Sequence, residues 1–327
     1  MSESNPKAAV SWVAVVLGAV VAAFVVGVVA MVVDAGKARA APVPTRATIE
    51  VTQFAVPSAQ VGEGFAVCPG TKRAVGGGVV QNGPASYGIE VFASGPLDAS
   101  GVTAQTEDGD IAKQWYAATI NLTAERRTFR VFAVCSGTSG ATIQATQFSV
   151  GKNQVGEEFA VCPGTKRALG GGVVQSGPAG FGTSVAASGP LDASGVTAQT
   201  VTGDVAKQWY AAVANYTSFS DHTYRVFAIC SGRSAARIKA TPLFDVGDRT
   251  TIVERFAVCP ENKRALGGGV VQSGPASLYF FQTASGPLDA SGEPLRTGDG
   301  DIAKQWYAAP GHDSSQERRF KVFSICE

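Results

Sequence analysis

The sequence predicts an all-β fold: three tandem antiparallel β-sandwich-like modules, each closed by one disulfide, after a single N-terminal transmembrane helix. Three observations lead to this prediction. A 26-residue stretch near the N-terminus carries no charge. Beyond it, a Phe-Ala-Val-Cys-Pro block that runs into three consecutive glycines occurs three times, and the six cysteines fall two to a copy. The 39 glycines and the 16% of charged residues also fit turn-rich β structure better than a helical bundle.

The uncharged stretch is Ala8 to Val33. As a helix it would span about 39 Å, which exceeds the roughly 30 Å hydrocarbon core of a bilayer. We therefore predict a cytoplasmic tail at 1–7, a transmembrane helix or uncleaved signal anchor at 8–33, and a linker at 34–46. The alternative is a cleaved secretory signal, because Ala38-Arg39-Ala40 is an acceptable cleavage site, although the apolar run is longer than a usual signal core.

The charges around this segment and the cysteines point in opposite directions. Only Lys7 precedes the segment whereas three basic residues follow it, which by the positive-inside rule favours a cytoplasmic C-terminal part. Regular cysteine pairs favour an oxidising compartment. We give the cysteines more weight, since long translocated domains often override a small charge bias. The expected location is the plasma membrane, with a single span and the modules outside; the alternative is a secreted protein.

The cysteines define the three copies. The two cysteines of a copy lie 67, 68 and 67 residues apart, and equivalent positions recur about every 95 residues, which is the length of a small domain. This regular pairing predicts one disulfide within each copy, and a loop of that length should stabilise its copy by about 4 kcal/mol. The predicted modules are 47–138, 139–236 and 237–327. The predicted pairs are Cys68 with Cys135, Cys162 with Cys230, and Cys259 with Cys326.

Within a copy the sequence pattern indicates about six strands. In the first copy β-branched and apolar residues, bounded by Gly-Pro, Asp-Gly and Ser-Gly turn pairs, mark each of them. The last strand is apolar on both faces near its end, because Val131 and Ala133 share one face while Phe132 and Val134 share the other. It is therefore expected to be a central strand, or one whose outer face meets a neighbouring module. The predicted strands are 48–56, 65–68, 73–81, 87–93, 113–120 and 128–135.

The triple glycine, Gly76-Gly77-Gly78 in the first copy, invites interpretation as a phosphate-binding loop. It lacks the third glycine of G-x-G-x-x-G, contains no G-x-x-x-x-G-K-[ST], and precedes no helix. We interpret it instead as a β-bulge, or as a place where two backbones or a tryptophan ring pack closely against the strand.

Each copy contains an Ala-Lys-Gln-Trp-Tyr-Ala-Ala block. The period-2 pattern favours burial of Trp115 and of its two equivalents, Trp209 and Trp306. The adjacent tyrosines would then point the other way and be the better-exposed aromatic residues. The candidate ligand-binding residues are accordingly Tyr116, Tyr210 and Tyr307.

Other polar patterns give weaker signals. Asp108-Gly109-Asp110 lacks the wider calcium-loop pattern and is interpreted as a turn. A Lys-Arg pair such as Lys72-Arg73 follows each Cys-Pro turn and is expected to be solvated, with contact to anionic glycans or lipid headgroups as the alternative.

There are two histidines, His222 and His312, and neither is matched in the first copy. No metal, cofactor or catalytic residue is predicted, and the protein is not expected to be an enzyme. A net charge of +1 gives no reason to expect a nucleic-acid partner.

The copies differ most in two segments, each of which occurs once in every copy. Residues 86–92 and 121–127 of the first copy correspond to 180–186 and 215–222 of the second, and to 277–283 and 310–318 of the third. Ligand contacts in β modules often lie on such variable loops, although drift in exposed turns gives the same appearance. A binding surface, if there is one, is expected there.

The pattern Cys-Pro-Gly-x-x-x-x-x-Gly-Gly-Gly, a Trp strand and then Val-Phe-Ala-Val-Cys resembles a secreted module of actinobacterial cell-envelope proteins. It covers nearly all of 48–327, and the third copy departs from it at Glu261, where a glycine is lost. The resemblance implies an extracytoplasmic β module and no particular activity. The expected function is a non-enzymatic role in adhesion, ligand binding or envelope structure, with cell-wall glycan or another surface protein as partner. The alternatives are a secreted carbohydrate-binding protein and, more remotely, an envelope hydrolase.

Overall fold

The computed structural model describes residues 47–177, 180–247, 251–314 and 318–327, and this part of the chain is built almost entirely of antiparallel strands. The first copy holds β1 Thr48–Val56, β2 Gln60–Val67, β3 Arg73–Gln81, β4 Ile89–Leu97, β5 Gln114–Asn121 and β6 Arg127–Ser136. The second holds β7 Thr142–Val150, β8 Gln154–Val161, β9 Arg167–Gln175, β10 Thr183–Leu191, β11 Gln208–Asn215 and β12 His222–Ser231.

The third copy has the same order, but its first two strands are each broken in two. Its strands are β13 Arg237–Ala240, β14 Phe244–Val246, β15 Thr251–Ile252, β16 Arg255–Val258, β17 Ala265–Gln272, β18 Phe280–Leu288, β19 Gln305–His312 and β20 Arg318–Cys326. A single 3₁₀ turn, Thr103–Gln105, is also described. The prediction of about six strands per copy is therefore confirmed, with bounds shifted by one to five residues at four of the six.

The strands form three sheets, and each sheet combines halves of two copies. Sheet I has the order β1-β6-β3-β18-β19, with β15 and β16 both pairing with β19. Sheet II has the order β2-β5-β4-β9-β12-β7. Sheet III joins β20-β17-β10-β11-β8, with β13 and β14 on the outer edge of β20. Because the third copy shares a sheet with the first, the three copies close a ring and form a single structural unit rather than three separate beads.

The joint between copies is short. In sheet II one residue pair, Ser94 with Val173, links β4 to β9, and equivalent single pairs link β10 to β17 and β18 to β3. Pro96 follows two residues after Ser94 and has no backbone N–H, so β4 cannot continue a full ladder on both of its edges there. A second main-chain joint lies at the first strand of each copy, where the N–H of Ile143 donates to Asp110 O at 2.8 Å and the two other boundaries repeat the bond; packing and side-chain contacts complete the contact between copies.

Each copy nevertheless has its own two-layer core. Its half-sheets, β1-β6-β3 and β2-β5-β4 in the first copy, face one another, and Trp115 of β5 lies against Gly77 of β3. The disulfide crosses between the same two layers. The three predicted pairings are confirmed: Cys68–Cys135, Cys162–Cys230 and Cys259–Cys326.

The triple glycine lies where the three copies meet. A Cβ on Gly76 would lie 2.9 Å from the Cα of Gly267, one on Gly267 would lie 2.8 Å from Gly170, and one on Gly170 would lie 2.8 Å from Gly76. These three backbones thus contact one another in a closed triangle, which defines a pseudo-threefold axis. A bulge in the ladder precedes each of them, at Val75 in the first copy. The structural interpretation of the glycines is confirmed, because no side chain fits at this distance.

The predicted N-terminal helix at 8–33 lies outside the described residues. Within the described part of the chain, no helix has the length and apolar character needed to cross a bilayer.

Candidate ligand-binding site

The three predicted tyrosines are not the exposed aromatic residues of their strands. Tyr116, Tyr210 and Tyr307 are only 8, 5 and 5% exposed, so the expectation that they face solvent is wrong. Each ring packs against the phenylalanine of the Phe-Ala-Val-Cys-Pro block on the neighbouring strand. The centroid distances are 5.0 Å for Phe65 with Tyr116 and 5.2 Å for the two other pairs, Phe159 with Tyr210 and Phe256 with Tyr307.

The tyrosines are buried because another copy covers the outer face of their sheet. In sheet I the loop after β3 of the first copy reaches the third copy, where the backbone N–H of Ala85 donates to Glu254 at 2.8 Å. In sheet III the equivalent N–H of Ala276 donates to Glu157. Burial raises the pKa of Tyr307 and of Tyr210 well above the ordinary value, and the charge of these glutamates adds to the shift. The alternation of side chains along the strand correctly predicted the face of the sheet on which each tyrosine ring lies. It did not predict that this face is buried.

The glutamates beside these tyrosines were missed by sequence reasoning. Glu63, Glu157 and Glu254 each precede the phenylalanine of the repeated block by two residues. The signal was present, because Glu-x-Phe-Ala-Val-Cys-Pro occurs in all three copies. Each carboxylate lies close to its tyrosine hydroxyl, and Glu157 and Glu254 also accept the backbone N–H from another copy.

The predicted burial of the tryptophans is confirmed. Trp115 is 1% exposed, and its Nε1 donates to Ser94 Oγ at 3.0 Å; the other two copies repeat this bond. The indole N–H is thus satisfied within the core, and the ring offers no platform for a sugar.

The Asp-Gly-Asp segments are turns that join one copy to the next. Asp108 accepts a hydrogen bond from the backbone N–H of Ala145 at 2.7 Å, and Asp299 accepts one from Val51 at 2.6 Å. In the described residues no group of three or more His, Cys, Asp or Glu side chains is arranged to hold a metal ion.

The basic pairs are half-buried, and Arg73 donates to the carbonyl of Ala141 at 3.0 Å, so part of their charge serves the fold.

The divergent segments converge at one end of the pseudo-threefold axis, which we call the axial mouth. The strands β4, β10 and β18 contact one another there. At equivalent positions of these strands stand three chemically different residues, Glu90, Ser184 and Phe281. A second set of equivalent positions follows β5, β11 and β19, and it holds Leu122, Tyr216 and Asp313. The location expected for a binding surface is thus one place, to which all three copies contribute.

Exposed rings surround the axial mouth. Tyr87, Phe181 and Tyr279, one from each copy, are 48, 56 and 55% exposed. The Tyr87 ring lies edge-on to Phe281 with centroids 5.9 Å apart, and its hydroxyl donates to Asp313 Oδ2 at 3.1 Å. A residue of the first copy therefore helps to position the carboxylate of the third.

Two carboxylates, those of Glu90 and Asp313, lie at the axial mouth. Burial is the largest effect on the Glu90 carboxyl and raises its pKa; a hydrogen bond with the Ser184 side chain acts in the opposite direction, and the charge of Asp313 adds to the increase. The pKa of Tyr216 is raised by burial and by Glu90, and that of Tyr87 by burial and by its bond to Asp313. In the described residues no basic side chain contributes to the pKa of Glu90. This arrangement can accept hydrogen bonds from a ligand and can stack against its apolar faces.

Of the two histidines, His312 lies beside this group: burial lowers its pKa, and the charge of Asp313 opposes that effect. His222 Nδ1 lies 3.1 Å from Gln175 Nε2, and His312 Nε2 lies 2.7 Å from Ser314 Oγ. The first contact joins β12 to β9, and the second lies within the turn that follows β19. The chain matches no protein-family model and no curated protein.

Proposed function

We propose that this chain is a membrane-anchored extracytoplasmic protein without enzyme activity that binds a ligand at the axial mouth. The observation that carries the proposal is the convergence of the divergent segments. The cysteine, triple-glycine and tryptophan blocks repeat the same residues in the same roles, but at the mouth Glu90, Ser184 and Phe281 occupy equivalent positions with different chemistry. We take this collection of differences at one end of the axis as the mark of a binding surface.

The compartment is supported by the three disulfides, which are consistent with an oxidising environment. The anchor rests on the uncharged segment 8–33, and the resemblance to an actinobacterial envelope module supports the same location. N-terminal sequencing of the mature protein tests the anchor. We expect an intact N-terminal segment, and a mature protein that begins at Ala41 would replace the anchor with a cleaved signal.

The exposed rings favour carbohydrate as the ligand class over a flat protein surface. Tyr87, Phe181 and Tyr279 offer faces on which sugar rings stack, while the carboxylates of Glu90 and Asp313 accept hydrogen bonds from hydroxyl groups. Cell-wall glycan is therefore the proposed partner. A secreted carbohydrate-binding protein is the second candidate, and it differs only in the fate of the N-terminal segment.

A glycan panel with matched variants tests the binding surface. We expect the double variant Tyr87→Ala/Phe181→Ala to lose binding by about tenfold or more, since stacking rings contribute on the order of 1–2 kcal/mol each. The matched control is Val67→Ala/Val161→Ala, which alters residues of similar exposure on the edge strands β2 and β8. If the control loses binding and the mouth variant does not, the surface lies elsewhere.

A further inference from the structure

The first copy differs from the other two in the turn that follows β3. It has Asn82-Gly83 there, whereas the second copy has Ser176-Gly177 and the third has Ser273-Gly274. The three turns share one backbone form, because each glycine has a positive φ (101°, 120° and 96°) and the residue before it donates its N–H across the ladder. Serine therefore builds this turn as well as asparagine does. Asn82-Gly83 is also the only Asn-Gly pair in the chain.

The two groups that can react with each other in an Asn-Gly pair are loosely held here. The backbone N–H of Gly83 makes no hydrogen bond to the described residues, and a Cβ built on this exposed glycine meets no atom within 4 Å. The half-buried Asn82 side chain has one long contact, from Nδ2 to Gln53 Oε1 at 3.5 Å, and its Oδ1 has no partner among the described residues. The amide can therefore turn towards the Gly83 nitrogen without losing a hydrogen bond of normal length.

Asn121 shows how the same fold holds an asparagine firmly. Its side chain is buried, and Nδ2 donates to three backbone carbonyls at 2.7 to 3.2 Å. The residue after it is Leu122, whose side chain crowds the approach of the backbone nitrogen, and Asn215 is bonded in the same way in the second copy. Neither obstacle exists at Asn82, because its amide is not bonded in this way and the next residue has no side chain.

We propose that Asn82 is a site of spontaneous deamidation in the folded protein. The Gly83 nitrogen attacks Asn82 Cγ, so the N–Cγ bond forms and the Cγ–Nδ2 bond breaks. Nδ2 leaves as ammonia and takes up the proton that the Gly83 nitrogen loses. Water then opens the five-membered imide. Opening at Cγ gives aspartate, whereas opening at the backbone carbonyl carbon gives isoaspartate, whose main chain is one methylene longer.

The position of the pair links this modification to the contact between the first and third copies. Three residues after Asn82, the backbone N–H of Ala85 donates to Glu254 at 2.8 Å. Gln81 Nε2 donates to Pro84 O across the same turn, so little slack separates the pair from Ala85. Both products add a negative charge at the end of β3, and isoaspartate also lengthens the loop. Isoaspartate formation therefore weakens this contact over time, whether or not a ligand is bound.

Peptide mapping of the full chain in mild detergent tests the site. Native protein and protein unfolded in guanidinium chloride are incubated at the same mildly alkaline pH, and mass spectrometry with fragmentation that separates aspartate from isoaspartate follows Asn82. Exposed loops open with free energies near zero, so we expect the native rate to lie within about tenfold of the unfolded rate. Asn121 should stay unmodified in the native sample. Asn82→Ser, which installs the residue of the other copies, should abolish the product without moving the urea midpoint.

Hydrogen exchange at the Ala85 amide tests the effect on the contact between copies. In the isoaspartate form, separated by ion exchange, this amide should exchange about tenfold faster than in fresh protein, because it loses a bond to a carboxylate. Asn82→Asp is the matched control, since it adds the charge without the methylene, and it should leave the exchange of Ala85 near that of fresh protein.

A native rate below the expected range would overturn the proposal, because the fold would then protect the pair. Conversion of Asn121 at the rate of Asn82 would also overturn it, since the bonds around the amide would then have no influence. Unchanged exchange at Ala85 in the isoaspartate form would overturn the link to the third copy.

Discussion

The two ends of the pseudo-threefold axis differ in how the three copies are used. At one end Gly76, Gly170 and Gly267 are the same residue in the same role, since each backbone contacts the next. At the other end Glu90, Ser184 and Phe281 are three different residues at equivalent positions. The glycine end tolerates no side chain in any copy, whereas the mouth accepts a carboxylate, a hydroxyl and a ring. Sequence identity therefore marks the contacts that close the ring, and sequence difference marks the end of the axis where we propose that a ligand binds.

The largest effect is expected at the glycine end. Gly76→Ala would push a methyl group into the backbone of Leu266 and Gly267, which cannot move without disturbing two other strands. We expect a loss of about 3 kcal/mol or more in the free energy of unfolding, measured by urea denaturation with the disulfides intact. Gly137→Ala is the control, because a Cβ there meets no atom within 4 Å. Equal stability of the two variants would show that the ring does not close as described.

A smaller loss is expected from the cations that join neighbouring copies. Arg225 donates to the carbonyls of Thr103 and Thr106 at 3.2 and 2.8 Å, and Lys321 makes the equivalent bonds in the next copy. Arg225→Met should cost roughly 1.5–3 kcal/mol of unfolding free energy because two partly buried carbonyl acceptors lose a charged donor. Arg319→Met, at an exposed arginine, should stay within about 0.5 kcal/mol. If the two variants lose the same, these bonds do not hold the copies together.

A still smaller and pH-dependent effect is expected at His312, which occupies the position that Asn121 and Asn215 hold in the other copies. Burial lowers the pKa of His312, so the unfolded chain binds the proton more readily than the folded one. Its contribution to stability is therefore present above about pH 6.5 and declines as the pH falls towards the lowered folded value. His312→Asn should lose this slope when urea midpoints are compared between pH 7.5 and 5. Identical slopes in the two proteins would contradict the assignment.

The smallest effect on stability is expected at the mouth itself. Phe181 is 56% exposed, and Phe181→Ala should change the free energy of unfolding by no more than about 0.5 kcal/mol. A loss comparable with that of Gly76→Ala would mean that the mouth is part of the structural core. Thermal and urea unfolding of the same preparations used for glycan binding make this comparison direct.

The sequence by itself determined the strands, the disulfides, the buried tryptophans and the place where the copies diverge. These depend on local alternation, on the regular spacing of cysteines, and on comparison of the copies with one another. It also indicated that the last strand of each copy is covered on both faces, because Phe132 and Val134 require it. Apart from the divergence, each of these features is encoded within one copy.

Only the tertiary structure decided how the copies share their sheets, which residues come together at the mouth, and how deeply Tyr116 and its equivalents are buried. The joint between β4 and β9 is a single backbone pair, and the glycine triangle is formed by main-chain atoms, so neither has a side-chain pattern to reveal it. The cover over Tyr307 comes from a loop about 220 residues earlier in the chain. Alternation along one strand predicts which way a side chain points, but the burial of that side chain depends on what another part of the chain places over it.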